Sequence, residues 1–415
     1  MARAMSRRPR VAVSIVVGAV FTLWIFLFAR VERPTLAERS NLHDDSTDAS
    51  AVGSGGVFVT SSIPSVDARV VGAPPPPPPD RDAVTFVLVA NANPNNGPRA
   101  VALLASMRTF LRGDGAVRAL LVVVPDRELD WWRLAARAVD ASDFDLDVVG
   151  ESRALATPVA TLRAAAPETA ARESRGVGYR IQMLLKIGVA ALVRTEFYVT
   201  FDCDVVLAKP LTLGILVRDG KGALQGAMGG PHARRWISHS RDVMFGPKPG
   251  AADENDAKDA KDEKKDERDA CGVDRLSRTV GVTPAVLSTR AARATMSRLE
   301  RVSNDGERWD AYLFRALEGG LDWTEYGVYA AGTCLEGLMD EVHFADPHVR
   351  LYDAALQEDG SKFKDGAAMA RAFAGKKGSG AGDGDDAPVF AVLQSIGGSD
   401  AMEAATALYP HLVDG

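Results

Sequence analysis

The sequence predicts an α/β fold, a mixed and mainly parallel sheet flanked by helices. Three observations predict it. Val84–Ala90 (VTFVLVA) is an apolar, partly β-branched run of the kind buried on both faces of a sheet. Strand-like and helix-like segments then alternate, which is the pattern of parallel strands joined by crossover helices. Finally, Gly178–Leu211 reads as a buried helix, a short turn, a second buried strand, and Asp202-Cys203-Asp204 where that strand runs out.

Ahead of the folded part, residues 1–10 carry Arg3, Arg7, Arg8 and Arg10. Residues 11–29 follow as an apolar segment. Val11–Phe28 is uncharged and, as a helix, spans about 27 Å, near the hydrocarbon thickness of a thin internal membrane. The preceding arginines place the N-terminus in the cytosol by the positive-inside rule. An uncleaved anchor is favoured over a cleaved signal peptide, because the apolar core is long and no clear small-x-small cleavage site follows directly. Residues 30–82 are rich in Ser, Asp, Gly and Ala and end in Pro74–Pro79, which favours an extended polyproline II stem. The folded domain is expected over 83–415, facing a lumen or the exterior.

Within that domain the first strand ends in an Asn/Pro/Gly-rich loop holding Asn91 and Asn93. Both can hydrogen-bond a base or ribose; equally, such a loop is a simple turn. Arg99–Leu111 reads as a helix, Ala119–Val124 as a strand, Trp131–Val139 as a helix and Phe144–Val149 as a third strand. No Gly-x-Gly-x-x-Gly follows the first strand, which argues against a dinucleotide enzyme. The helix from Tyr179 to about Val193 is apolar nearly all round, with Gln182 and Lys186 four apart on one face. Residues 251–270 are almost pure Asp, Glu, Lys, Arg and Ala and read as a solvated insertion. Val280–Leu287 resumes folded sequence, Arg290–Val302 is a helix, and residues 376–387 form a Gly/Asp-rich loop. Val389–Leu393 is a closing strand, followed by a last helix at Ala401–Leu408.

Two aromatic stretches each hold a carboxylate: Asp310 in Trp309–Phe314 and Glu325 in Trp323–Tyr329. Rings stack on a sugar's apolar face while an acid takes its hydroxyls; core aromatics with an acid at the rim are the plainer alternative. Asp202 and Asp204 stand at a strand's carboxyl end, where ligands of open α/β sheets collect. Two carboxylates there can hold a hard divalent cation, directly or through water, which in turn binds substrate phosphates; ordinary loop acids are the plainer alternative. A net charge of −6 gives no case for nucleic acid, and three cysteines without Cys-x-x-Cys spacing exclude a zinc ribbon. Cys271 and Cys334 are either bridged or free.

Helix with Gln182 and Lys186, strand, Asp202-Cys203-Asp204, Pro210-Leu211, and far downstream Trp323-Thr324-Glu325-Tyr326-Gly327: this arrangement resembles the metal-binding segment of GT-A-fold glycosyltransferases. It is similar in particular to a poorly characterised domain-of-unknown-function family in the nucleotide-diphospho-sugar transferase superfamily. The resemblance implies a Rossmann-like GT-A domain, a Mn²⁺ or Mg²⁺ held by Asp202 and Asp204, and a nucleotide-sugar donor. It implies Arg180, Gln182 and Lys186 beside the phosphates, Glu325 or Asp310 toward the acceptor, and a glycan, protein or lipid acceptor. It also implies a Golgi or endoplasmic reticulum membrane protein of type II topology. Members of this group often add a late histidine to the metal; for His343, His348 and His411 an ordinary surface position is the plainer reading. Asp202-Cys203-Asp204-Val205-Val206 also resembles haloacid-dehalogenase-type phosphatases, in which the first Asp ends the first strand. A membrane-anchored sugar-binding module without turnover is the third reading.

Overall fold

The computed structural model describes residues 79–91, 99–100, 103–104, 106–107, 110–111, 115–138, 145–165, 176–207, 210–224, 231–246, 270–277, 283–303, 306–345, 351 and 390–392. The tail, the apolar segment 11–29, the stem up to residue 78, Asn93, the charged run up to residue 269, the loop 376–387, His348, His411 and the last expected helix lie outside the described residues. Among the described residues no helix is long and apolar enough to cross a membrane.

β1 (Asp80–Val89) begins inside the segment read as stem; its first three residues are exposed and the next seven buried. Residues 99–110 are helical at their described positions. Then come β2 (Val117–Val124), α1 (Leu129–Ala138), β3 (Asp145–Gly150), α2 (Val159–Ala164) and α3 (Gly176–Gly188). β4 (Thr195–Phe201), β5 (Val205–Leu207), β6 (Val217–Arg218), β7 (Lys221–Ala223) and α4 (Pro231–Asp242) follow. The order closes with β8 (Ala285–Ser288), α5 (Thr289–Val302), α6 (Trp309–Glu318), α7 (Glu325–Leu335), β9 (His343–Phe344) and β10 (Phe390–Val392).

The main sheet has the order β3-β2-β1-β4-β8. Its first three pairings are parallel and β4–β8 is antiparallel, so the sheet is mixed and mainly parallel as expected. Every residue of β4 is buried, which is why TEFYVTF carries no polar alternation. Small sheets form beside it: β7 pairs with β6 and β9, and β10 returns to β5. Phe390 of β10 packs against Phe201, with ring centroids 5.4 Å apart, and Phe201 against Phe86 at 4.8 Å.

α7 is apolar on almost every side and is packed among α3, α4 and α5. Thr324 caps it, accepting the Gly327 N–H at 3.2 Å. A side chain at Gly327 would run into Ser240 of α4 and into Thr324 itself, so only glycine lets α4 lie this close. At the other end of α7, Cys334 is bridged to Cys271, with Cα atoms 6.0 Å apart, which resolves the alternative left open by the sequence. Closing a ring of that size stabilises the fold by about 4 kcal/mol through the unfolded chain's lost freedom.

Candidate active site

β1 to β4 run parallel, so their carboxyl ends share one edge of the sheet. Leu88 pairs with Phe201, which brings Asn91 and Asp202 out of neighbouring strands at that edge. The chain leaves β1 toward β2 on one side while β4 lies on the other. Such a reversal of strand order opens a crevice where ligands of α/β sheets bind. Asp202 is fixed there through its backbone: its N–H donates to Thr283 Oγ1 at 2.9 Å. The Val205 N–H returns to the Asp202 carbonyl at 3.3 Å, closing a turn over Cys203 and Asp204.

Asp202 Oδ1 accepts from Gln182 Nε2 at 2.8 Å and from Lys186 Nζ at 2.8 Å. Both donors come from α3, on the shared face their spacing predicts. Lys186 Nζ also donates to Glu325 Oε1 at 2.8 Å, in the first turn of α7. The Tyr326 ring lies near Nζ, 5.1 Å away at its centroid, and the Tyr198 hydroxyl donates to the Lys186 carbonyl. Burial works to lower the Lys186 pKa, but the charges of Asp202 and Glu325 outweigh it and hold it well above the ordinary lysine value. The ammonium is therefore a permanent link between the end of β4 and the start of α7. Lys186, expected at the phosphates, and Glu325, expected toward an acceptor, are thus bonded to each other.

Asp204 is in a different state. Its Oδ1 is buried with no hydrogen-bond partner. Burial, then the charge of Asp202, pushes its pKa up to about 6 against the pull of Arg99, a backbone hydrogen bond and Lys186. Cys203, between the two acids, is pushed up to about 12, by burial first and then by Asp204 and Asp202, so it remains a thiol. A buried carboxylate oxygen left open beside a second carboxylate is uncommon in a folded protein, and a cation would satisfy it. Among the described residues no cluster of three or more His, Cys, Asp or Glu is arranged to hold a metal unaided. Two carboxylates, with the remaining positions left to water and substrate oxygens, nonetheless form a donor set that suits Mg²⁺ or Mn²⁺.

Toward the start of α3 lies a cluster that the sequence does not announce. Arg180, expected at the phosphates, is buried and donates to the Trp323 carbonyl at 3.0 Å and to Asp322 Oδ1 at 2.7 Å. Asp322 Oδ2 accepts from Trp236 Nε1 at 2.9 Å, and the Asp322 N–H donates to His239 Nδ1 at 2.8 Å. Burial works to raise the Asp322 pKa; the hydrogen bonds from Arg180 and Trp236 and the Arg180 charge overcome it and hold the carboxyl below its usual value. The one available signal was position, since Asp322 directly precedes Trp323-Thr324-Glu325.

Asp310 is fully buried. Its Oδ2 accepts the Ala156 and Thr157 N–H groups at 2.7 and 2.8 Å, and its Oδ1 accepts Thr157 Oγ1 at 2.6 Å and the Ala311 N–H at 2.9 Å. Four bonds occupy both oxygens, so Asp310 anchors the loop before α2, which corrects the expectation that it faces an acceptor. Asn91 is exposed at the end of β1, beside the crevice.

His343 is buried, not on the surface as its sequence context suggested. Its Nδ1 is 3.0 Å from the Gly222 carbonyl, which only accepts, so that nitrogen carries the proton. Nε2 then accepts the Tyr329 hydroxyl proton at 2.7 Å, while the Tyr329 oxygen accepts the Ser288 N–H at 2.8 Å. With both nitrogens occupied, His343 is no metal ligand. Burial pushes its pKa down to about 4, from 6.5. The unfolded chain therefore takes up this proton first, and the stability contribution, complete above 6.5, is lost as pH falls toward 4. The loss amounts to about 3 kcal/mol. Urea unfolding across that window should show the fall in wild type and a flatter curve in His343→Gln.

Fold and site together define an α/β protein with a carboxylate pair at the reversal point of a mainly parallel sheet. Residues 84–412 match the family described as "Family of unknown function (DUF6492)", and the chain belongs to that family. No curated protein matches the sequence. Among solved structures the chain is similar to the apo WbbM bifunctional glycosyltransferase, at 14% identity and a TM-score of 0.36, over 75% of this chain and 45% of that one. The chain thus spans under half the length of that protein. It is also similar to apo mouse xyloside xylosyltransferase 1, at 8% identity and a TM-score of 0.32, over 64% of this chain and 85% of that one. At such values both likenesses are remote.

Proposed function

We propose that the chain is a metal-dependent glycosyltransferase of GT-A fold, moving a sugar from a nucleotide-diphosphate donor to a glycan, protein or lipid acceptor. The observation that carries this reading is the open, buried Oδ1 of Asp204 beside Asp202 at the mouth of the sheet's crevice. Asp202 and Asp204 would hold Mn²⁺ or Mg²⁺. When bound, the ion supplies neutralising charge for the diphosphate as it departs. Lys186 and Gln182 occupy Asp202 Oδ1, so Oδ2 is the oxygen Asp202 has left to offer. Glu325 keeps Lys186 in that position, and the β1 end with Asn91 borders the place for the nucleoside. The phosphatase alternative fits less well, because β1, β2 and β3 all precede the strand that ends at Asp202.

The same reading puts the folded part in the Golgi or endoplasmic reticulum lumen, behind a type II anchor at 11–29 and a stem. The Cys271–Cys334 bridge supports an oxidising compartment. The test is an assay of the full chain with a panel of nucleotide-sugars, with Mn²⁺ and with chelator. Metal-dependent release of a nucleoside diphosphate is expected. Phosphate release from a monoester, through a trapped aspartyl-phosphate at Asp202, would instead establish the phosphatase.

A further inference from the structure

We propose that Asp322, Trp236 and His239 form a carbohydrate-binding subsite beside the carboxylate pair, taking a sugar of the acceptor; the word acceptor rests on the transferase reading, and the binding does not. Asp322 is pinned from within and open outward: the Arg180 side chain behind it is 5% exposed, whereas the Asp322 side chain is 29% exposed. Among the described residues each of its oxygens has one partner, Nη2 of Arg180 or Nε1 of Trp236. A carboxylate has about four acceptor positions, so lone pairs remain for hydroxyls. Arg180 keeps the group ionised and therefore an acceptor only.

His239 supplies the complementary group. Its Nδ1 accepts a backbone N–H, so on the neutral ring Nε2 carries the proton and is the donor left over. Trp236 is half-buried and its indole N–H is fixed on Asp322, which sets the plane of the ring. A fixed acceptor, a donor and an aromatic surface are together what a sugar's hydroxyls and apolar face require. Placement supports the pairing with the metal-binding acids. Arg180 precedes Lys186 by six residues on α3, about 9 Å of helix rise, and Asp322 stands three residues ahead of Glu325. Among the described residues no hydrogen bond or ion pair joins these three to Asp202 or Asp204, so the subsite's polar groups are distinct from the cation's.

Saturation-transfer NMR on the full chain, with the methyl glycosides of glucose, galactose, mannose and xylose as probes, tests this. At least one probe should bind, with or without chelator. Asp322→Asn and Trp236→Leu should each weaken that binding by about tenfold or more. Asp322→Asn also loosens the buried Arg180, so Trp236→Leu and His239→Ala serve as variants that leave the Arg180–Asp322 pair in place. Absence of binding by all four probes up to about 50 mM overturns the proposal. So does binding that survives both Trp236→Leu and His239→Ala. Failure of the transferase reading shows separately, as glycoside binding that persists without metal-dependent nucleoside diphosphate release.

Discussion

Asp204→Asn lowers metal-dependent release of nucleoside diphosphate by about 10²–10³-fold, yet leaves the metal-free protein at least as stable as wild type. Both results follow from the same atom. Oδ1 of Asp204 is buried without a partner beside Asp202, so in the absence of a cation the charge is a burden on the fold. Asparagine keeps the shape, removes the charge and gives the cation one carboxylate fewer. The checks are activity at saturating Mn²⁺ and thermal melting with Mn²⁺ and with chelator. Wild type should gain melting temperature on adding metal, and the variant should gain little. A variant that retains full activity, or that melts well below wild type in chelator, contradicts the assignment of Asp204 to the cation.

Lys186→Met produces the opposite pattern, a large loss of stability that accompanies any loss of activity. The side chain is 3% exposed and bridges Asp202 and Glu325, whose side chains are 30% and 7% exposed. Among the described residues, removing the ammonium leaves the buried Glu325 without its ion pair and the Asp202 side chain with Gln182. Breaking a buried pair in this way costs about 3–5 kcal/mol. The double variant Lys186→Met with Glu325→Gln should recover part of that, because the second change removes the stranded charge. Denaturant unfolding of the two single variants and the double variant measures the coupling. A Lys186→Met protein within about 1 kcal/mol of wild type would show that the bridge contributes little.

The strands were legible in the sequence where burial on both faces leaves an unbroken apolar run. Glu196–Phe201 matches β4 but for one residue, and Val84–Val89 is most of the buried part of β1, which starts four residues earlier at Asp80. The direction of β8 was not legible, since VGVTPAVL reads the same whether its partner runs parallel or antiparallel. The β6–β7 hairpin had a signal that went unread: Asp219 and Gly220 both take positive φ, 53° and 72°, as a two-residue Asp-Gly turn requires.

At the site, the Asp-x-Asp pair could be read because strand, turn and acids are contiguous. The partners of α3 could not. Lys186 finds Glu325 139 residues away, and Arg180 finds Asp322 142 residues away. A lysine held between two acids looks, in sequence, like one waiting for phosphate. Asp310 misled for a related reason: an acid in the first turn of an aromatic helix reads as a sugar contact until the backbone donors at Ala156 and Thr157 are seen to fill it.

The cross-link between Cys271 and Cys334 encloses Thr283, Asp322 and Glu325, whereas Arg180, Gln182, Lys186, Asp202 and Asp204 all lie on the chain before it. The site is thus a seam between two consecutive lengths of polypeptide, and only the second of them is closed into a ring.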